Sequence, residues 1–217
     1  MYCSEYKPKG LKKPSRLVIM LHGYGSNCDD LISIAPELAN ELPDTYFISP
    51  NAPFPFEGGG RAFQWFSLIS REEPFMLEGA RQAQSILNKF IDDQMLRFEL
   101  SADQVALLGF SQGTMMSLHN SLRRSKPLAG ILGYSGMLLA DEHIAKEVQS
   151  KPKITLIHGK EDLVLPPFVM DRSKHILNTL GVDCEAFLIN KLGHGIDEEG
   201  IKIGKAFLKG CFKLNTN

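Results

Sequence analysis

Short runs of aliphatic and β-branched residues recur along the chain, separated by longer stretches whose apolar positions return every three or four residues. Residues 17–21, 46–49, 104–110, 128–133, 154–158 and 184–189 are the short runs. They lack polar alternation, which predicts strands covered on both faces, as in a parallel sheet. The longer stretches predict helices. Residues 30–42 follow an Asn27/Asp29/Asp30 cluster able to cap a helix start. The longest, 75–96, carries Ala80, Ala83, Leu87 and Phe90 along one face. Residues 112–124 follow the third strand directly. Residues 167–180 open with prolines and stop at Gly181, and 196–209 close before Gly210. Strand–helix alternation throughout predicts a single α/β domain over 1–217, with a mostly parallel sheet and helices on both faces.

One segment breaks the pattern. Residues 51–74 combine prolines, a Gly58-Gly59-Gly60 run and the aromatic side chains of Phe54, Phe56, Phe63, Trp65 and Phe66. A long aromatic loop in a compact domain is unusual and often functional.

Length and composition narrow the picture. A chain of 217 residues suits one substantial core. Its formal net charge of −1 gives no general pull toward nucleic acid or an anionic membrane. The basic stretch 7–16 is brief and broken by Pro8, Gly10 and Pro14, so residues 1–15 read as a flexible, solvated arm. Cys3, Cys28, Cys184 and Cys211 form no C-x-x-C pair and no zinc-type spacing, which implies free thiols in a reducing compartment and no metal site. No apolar run suits a signal-peptide core or approaches the ~20 residues of a membrane span. The expectation is a cytoplasmic protein, monomer or homodimer, without integral membrane association or a nucleic-acid partner.

The chemistry centres on Gly109-Phe110-Ser111-Gln112-Gly113, a G-x-S-x-G pentapeptide between a strand pattern and a helix pattern. A nucleophilic serine needs a sharp, strained strand-to-helix turn, and the glycines on either side let neighbouring backbone approach it. The turn also places Ser111 at a helix N-terminus, where dipole and free N–H groups favour developing negative charge. Such a serine needs a base, and the base an orienting acid, in the chain order Ser, Asp or Glu, His. His119 and His175 fall inside helices, His158 on the fifth strand and His143 in a polar stretch. His194, between Gly193 and Gly195 after the last strand, is the candidate base. Asp162 is the candidate acid, in the turn after the fifth strand; the adjacent Glu161 is not excluded by spacing.

A tetrahedral oxyanion needs two preorganised N–H donors. The backbone of Gln112 supplies one candidate. The other is Tyr24, flanked by Gly23 and Gly25 in the loop after the first predicted strand. His22 beside it reads as a packed histidine that holds this loop by hydrogen bonds. Leu163, Val164 and Leu165 after the acid, with the aromatic segment, offer apolar surface for an acyl pocket. There is no H-E-x-x-H, Walker loop or G-x-G-x-x-G, so no cofactor is implied.

Four segments together resemble the phospholipase/carboxylesterase family, which includes acyl-protein thioesterases and bacterial carboxylesterases. They are Leu21-His22-Gly23-Tyr24-Gly25, Gly109-Phe110-Ser111-Gln112-Gly113, His158-Gly159-Lys160-Glu161-Asp162 with Val164 and Pro166, and Gly193-His194-Gly195. The resemblance implies a compact α/β-hydrolase fold without a large lid domain. It implies Ser111, Asp162 and His194 as the triad and the Tyr24 and Gln112 N–H groups as the oxyanion donors. Trp65-Phe66 resembles the family's tryptophan–aromatic element beside the acyl pocket, which makes Trp65, Phe66, Leu163 and Val164 the expected substrate-binding residues. Tyr24 stands where the family commonly has leucine, and Thr114 where a second glycine is common. The expected activity is hydrolysis of short- to medium-chain acyl esters or thioesters through an acyl-enzyme, the substrate being a small ester or an acylated carrier. Acyl-protein thioesterase or lysophospholipase activity is the near alternative. A non-catalytic binding protein on the same fold is the different-class alternative, and a serine peptidase would need an extra domain for which the chain has no room.

Overall fold

A computed structural model of the chain describes residues 1–214. It opens with strand β1 (Cys3–Tyr6) and strand β2 (Arg16–Leu21), then two short helices, α1 (Cys28–Ile32) and α2 (Ala35–Ala39). Strand β3 (Thr45–Pro50), a small pair β4 (Phe54–Pro55) and β5 (Phe63–Gln64), and the long helix α3 (Glu73–Phe98) follow. Strand β6 (Val105–Phe110) leads into helix α4 (Gln112–Leu122), and β7 (Gly130–Tyr134) into the short α5 (Ile144–Glu147). The chain finishes with β8 (Lys153–Gly159), α6 (Phe168–Thr179), β9 (Cys184–Ile189) and α7 (Glu198–Cys211).

Seven strands form one sheet in the order β1-β3-β2-β6-β7-β8-β9. All neighbours run parallel except β1 against β3. This is the expected α/β-hydrolase architecture, and strand periodicity explains its two cores. Along β2, Leu17, Ile19 and Leu21 face one side and pack with Leu87 and Met116, while Val18 and Met20 face the other and pack with Leu38 and Leu208. Both sides are covered, so five of the six β2 residues are buried, which is why the run lacks polar alternation. Among the described residues, no helix is long and apolar enough to cross a membrane.

Three expectations are corrected. The start of the supposed flexible arm is strand β1, whose Cys3 lies opposite Pro50 and whose Tyr6 lies opposite Phe47. Side chains anchor it: the Tyr6 ring meets Phe47 edge-on at 6.3 Å, and Arg97 of α3 pairs with Glu5. These partners are distant in sequence, so local composition gave no sign of them. The single helix expected over 30–42 is two pieces, because Pro36 falls in the first turn of α2, where it starts a helix and cannot continue one. Asn27 does cap α1, its side chain accepting from the N–H groups of Asp29 and Asp30. Finally, part of the aromatic segment is ordered as the antiparallel β4–β5 pair, with Phe54 opposite Gln64.

Candidate active site

Ser111 joins β6 to α4 at φ 53° and ψ −115°, a conformation that costs an L-residue roughly 1–3 kcal/mol. Its neighbours hold it there. The Ser111 N–H donates to the Tyr134 carbonyl at 2.9 Å, and the Ser111 carbonyl accepts from Thr114 N–H at 3.0 Å. The motif glycines are needed for space. A Cβ on Gly113 would stand 1.8 Å from the Leu21 carbonyl oxygen, and one on Gly109 would stand 2.4 Å from the Thr114 nitrogen. Thr114, where the resemblance anticipates glycine, fits because the opposing chain is bare. Its side chain lies where a Cβ on Gly133 or Gly136 would be, and its hydroxyl donates to the Tyr134 carbonyl at 2.9 Å.

The candidate acid and base meet. His194 Nδ1 donates to Asp162 Oδ2 at 2.8 Å, and Asp162 Oδ1 accepts from the N–H groups of Val164 and Leu165, both at 2.9 Å. Asp162 is buried, whereas Glu161 is exposed. Burial pushes the Asp162 carboxyl up, but the Leu165 N–H, His194 and the Val164 N–H outweigh it and hold the group below the usual carboxylate range. The donated Nδ1–H leaves Nε2 of His194 as the nitrogen able to accept a proton. Of the glycines near this pair, Gly159 is sterically demanding. A Cβ there would lie 2.2 Å from the Gly193 carbonyl oxygen, whereas one on Gly193 meets nothing closer than 3.9 Å. The bare end of β8 thus lets the His194 loop approach, and Lys191, at φ 58°, carries its turn. Ser111 is linked to His194 through its neighbour, since the Phe110 ring packs on the imidazole at 5.1 Å between centroids. Among the described residues no hydrogen bond joins the Ser111 hydroxyl to His194; such bonds are often long before substrate binds.

The sequence places His158 on the fifth strand, in the segment that leads to Asp162, and gives it no role of its own. Its side chain is fully buried, with Nε2 2.8 Å from the Leu165 carbonyl oxygen and 3.1 Å from Asp162 Oδ2, so two imidazoles share one carboxylate oxygen. The four-residue spacing of His158 and Asp162 across the end of β8 was the available signal.

The loop after β2 comes against the elbow, where a Cβ on Gly23 would be 3.4 Å from Ser111 Cβ. Gly25, at φ 73°, turns it. Among the described residues, neither the Tyr24 N–H nor the Gln112 N–H donates to a protein acceptor. His22 holds this loop from inside, as the sequence suggested: Nδ1 donates to the Gly23 carbonyl at 2.7 Å and Nε2 accepts from Ala52 N–H at 2.9 Å. Burial lowers its pKa and keeps the ring neutral, as both bonds require.

The four expected substrate-binding residues divide into a buried pair and an exposed pair. Trp65 is 0% exposed and therefore offers an acyl chain no surface, which corrects the expectation. Its indole N–H donates to the His22 carbonyl at 3.0 Å and its backbone N–H donates to the Gln112 side-chain oxygen at 2.8 Å. The Gln112 amide nitrogen in turn donates to the Phe66 carbonyl at 2.8 Å. Trp65 thus ties the loop after β2 to the start of α4, the two segments that carry the candidate oxyanion donors. Phe66 is also buried, at the edge of a hollow of about 320 Å³ with Phe54 and Phe75. Leu163 and Val164 are exposed on the turn after Asp162, Leu163 at 95%.

Comparison with known proteins finds relatives over most of the chain. The family model described as Phospholipase/Carboxylesterase matches residues 8–212. The crystal structure of esterase PE8 is 34% identical, with a TM-score of 0.91 over 96% of this chain and 97% of that one. Acyl-protein thioesterase 1 of Schizosaccharomyces pombe is 32% identical over 77% of this chain and 78% of its own length. Esterase YpfH of Escherichia coli is 27% identical over 91% of this chain and 84% of its own.

Proposed function

The chain belongs to the phospholipase/carboxylesterase family and is a carboxylic ester hydrolase of the serine esterase/thioesterase type; from that premise, we propose that Ser111, Asp162 and His194 carry the reaction. The supporting observation is the 2.8 Å bond from His194 Nδ1 to the buried Asp162 carboxylate beside the strained Ser111 turn. His194 Nε2 takes the Ser111 proton as the hydroxyl attacks the acyl carbonyl. Asp162 fixes the tautomer and stabilises the imidazolium. The N–H groups of Tyr24 and Gln112 receive the oxyanion, the alcohol or thiol leaves with the proton from His194, and water activated by the same imidazole releases the acid.

The substrates we propose are short- to medium-chain acyl esters or thioesters, small or carried on a larger molecule. The exposed Leu163 and Val164 beside the acid favour an open acyl site. Relatives that are acyl-protein thioesterases favour a thioester on a protein carrier as the second reading. The four free thiols favour a reducing, cytoplasmic setting. A fluorophosphonate should label Ser111, and Ser111→Ala should lose at least ~10³-fold in p-nitrophenyl ester hydrolysis. Undiminished turnover in that variant would refute the assignment. Asp162→Asn should lose roughly 10⁴-fold in kcat by holding the wrong tautomer, while Glu161→Gln stays near wild type. A rate series over oxygen esters and thioesters of rising length separates the two substrate readings.

A further inference from the structure

The Tyr24 hydroxyl donates to the carboxylate of Glu57, which lies on the turn between β4 and β5. Glu57 is a surface residue, yet its carboxylate gathers three further donors: Ser67 Oγ at 2.8 Å, Leu68 N–H at 3.1 Å and Gln64 Nε2 at 3.4 Å. Its own N–H donates to Gln64 Oε1 at 2.9 Å. A lone surface carboxylate is ordinarily satisfied by water, so four protein donors on one exposed group mark a junction between loops. The Tyr24 phenol meets the Phe56 ring edge-on at 4.9 Å, and burial and the Glu57 bond push it up to about 12, so it stays a donor at any working pH. Directly after Tyr24 the backbone is pinned to the same hairpin: Gly25 N–H donates to the Phe63 carbonyl at 3.0 Å, and Phe63 N–H donates to the Ser26 carbonyl at 2.8 Å. Next to this fastened stretch, the Tyr24 N–H itself has no protein acceptor among the described residues.

We propose that Glu57 is a positioning residue for the hydrolysis: through the Tyr24 hydroxyl it fixes the Tyr24 N–H as an oxyanion donor. The inference rests on the assignment of Ser111 and Tyr24 made above. A leucine at position 24 would pack on Phe56 but present nothing to Glu57, so the tie comes from the tyrosine. An oxyanion donor works only when held within about 0.5 Å and 10–20° of its place before charge develops. Loosening the tie therefore weakens binding of the transition state and leaves binding of the neutral ester nearly unchanged.

The test measures kcat and KM on p-nitrophenyl butyrate, and inhibition by a phenylboronic acid that forms a tetrahedral adduct, in Glu57→Ala, Tyr24→Phe, the double variant and Ser111→Ala. Loss of the whole donor would cost ~10²–10³-fold, so misplacing it should cost about 10-fold in kcat. The expected KM change is under about 2-fold, boronate inhibition should weaken by the same factor as kcat, and the double variant should be no worse than either single one. Tyr24→Phe keeps the ring on Phe56, so a melting temperature close to wild type shows that the fold is intact. With Ser111→Ala inactive, a kcat within 2-fold of wild type in both variants, strictly multiplied losses in the double variant, or a loss confined to KM overturns the role of Glu57 alone. Hydrolysis that survives in Ser111→Ala overturns this inference and the triad together.

Discussion

The nucleophile turn and the aromatic segment 51–74 meet at Gln112, yet different forces hold them in shape. The turn is set by close backbone contact. Gly109 and Gly113 sit where any Cβ would meet main-chain atoms at 2.4 Å or less, and the Tyr134 carbonyl of β7 holds the Ser111 N–H. The aromatic segment is set by side chains reaching across the fold. Trp65, Gln64 and Glu57 hydrogen-bond to the loop after β2, to α4 and to one another, and the strands inside it are only two residues long. Steric constraint of the first kind leaves one arrangement or none. Hydrogen-bonded constraint of the second kind can be weakened by degrees.

Four changes would break or sharpen this contrast, beginning with the most damaging. Gly113→Ala forces a methyl group into the Leu21 carbonyl and should cost at least ~3 kcal/mol, with hydrolysis lost; calorimetry and ester turnover check both. A folded, active variant would mean that the turn yields as readily as the segment does. Trp65→Phe on the segment side keeps most of the ring but leaves the His22 carbonyl without its donor. It should cost about 1–3 kcal/mol by denaturant titration, with partial loss of activity.

Each region also rests on a buried neutral histidine, and acid separates them. Burial, with help from Arg123 and Arg81, pushes His119 of α4 down to about 3. Unfolded, this group binds its proton near 6.5, so the unfolded chain holds more protons throughout the window between the two values. Stability is therefore lost as pH falls below the unfolded value. His119 alone should remove roughly 2 kcal/mol between pH 7 and pH 5. Melting curves of His119→Gln should be flatter over that range, and the slope that persists belongs in part to His22 beneath the segment, whose pKa burial also lowers. An unchanged slope would remove the nucleophile side from the acid response. The smallest effect belongs to neither region. Leu163→Ala, at a site 95% exposed, should shift stability by less than about 0.5 kcal/mol and register only as a modest KM rise for longer acyl chains.

The same contrast explains what could be read from the chain before its fold was known. Gly109-Phe110-Ser111-Gln112-Gly113 is legible because every constraint on it is local: a strand, a turn, a helix and glycines at fixed offsets. The inner parallel strands are legible for the same reason, since burial on both faces writes itself as continuous apolar runs. β1 is not, because its partners are Pro50 to Phe47 and Arg97, all remote in sequence. Trp65 is the instructive failure. The resemblance puts it beside an acyl pocket, but an indole N–H that finds a buried carbonyl is more stable inside.

The sequence by itself determined the fold class and the strained serine turn, which follow from periodicity and short-range backbone sterics, and offered a candidate acid and a candidate base in workable order. Only the tertiary structure decided that Asp162 and not Glu161 meets His194, that His158 shares the same carboxylate oxygen, that Gly159 makes room for the His194 loop, and that Glu57 bonds to Tyr24. Each of those outcomes depends on which way a side chain points once distant segments pack together, and adjacent residues in a turn carry no record of that direction.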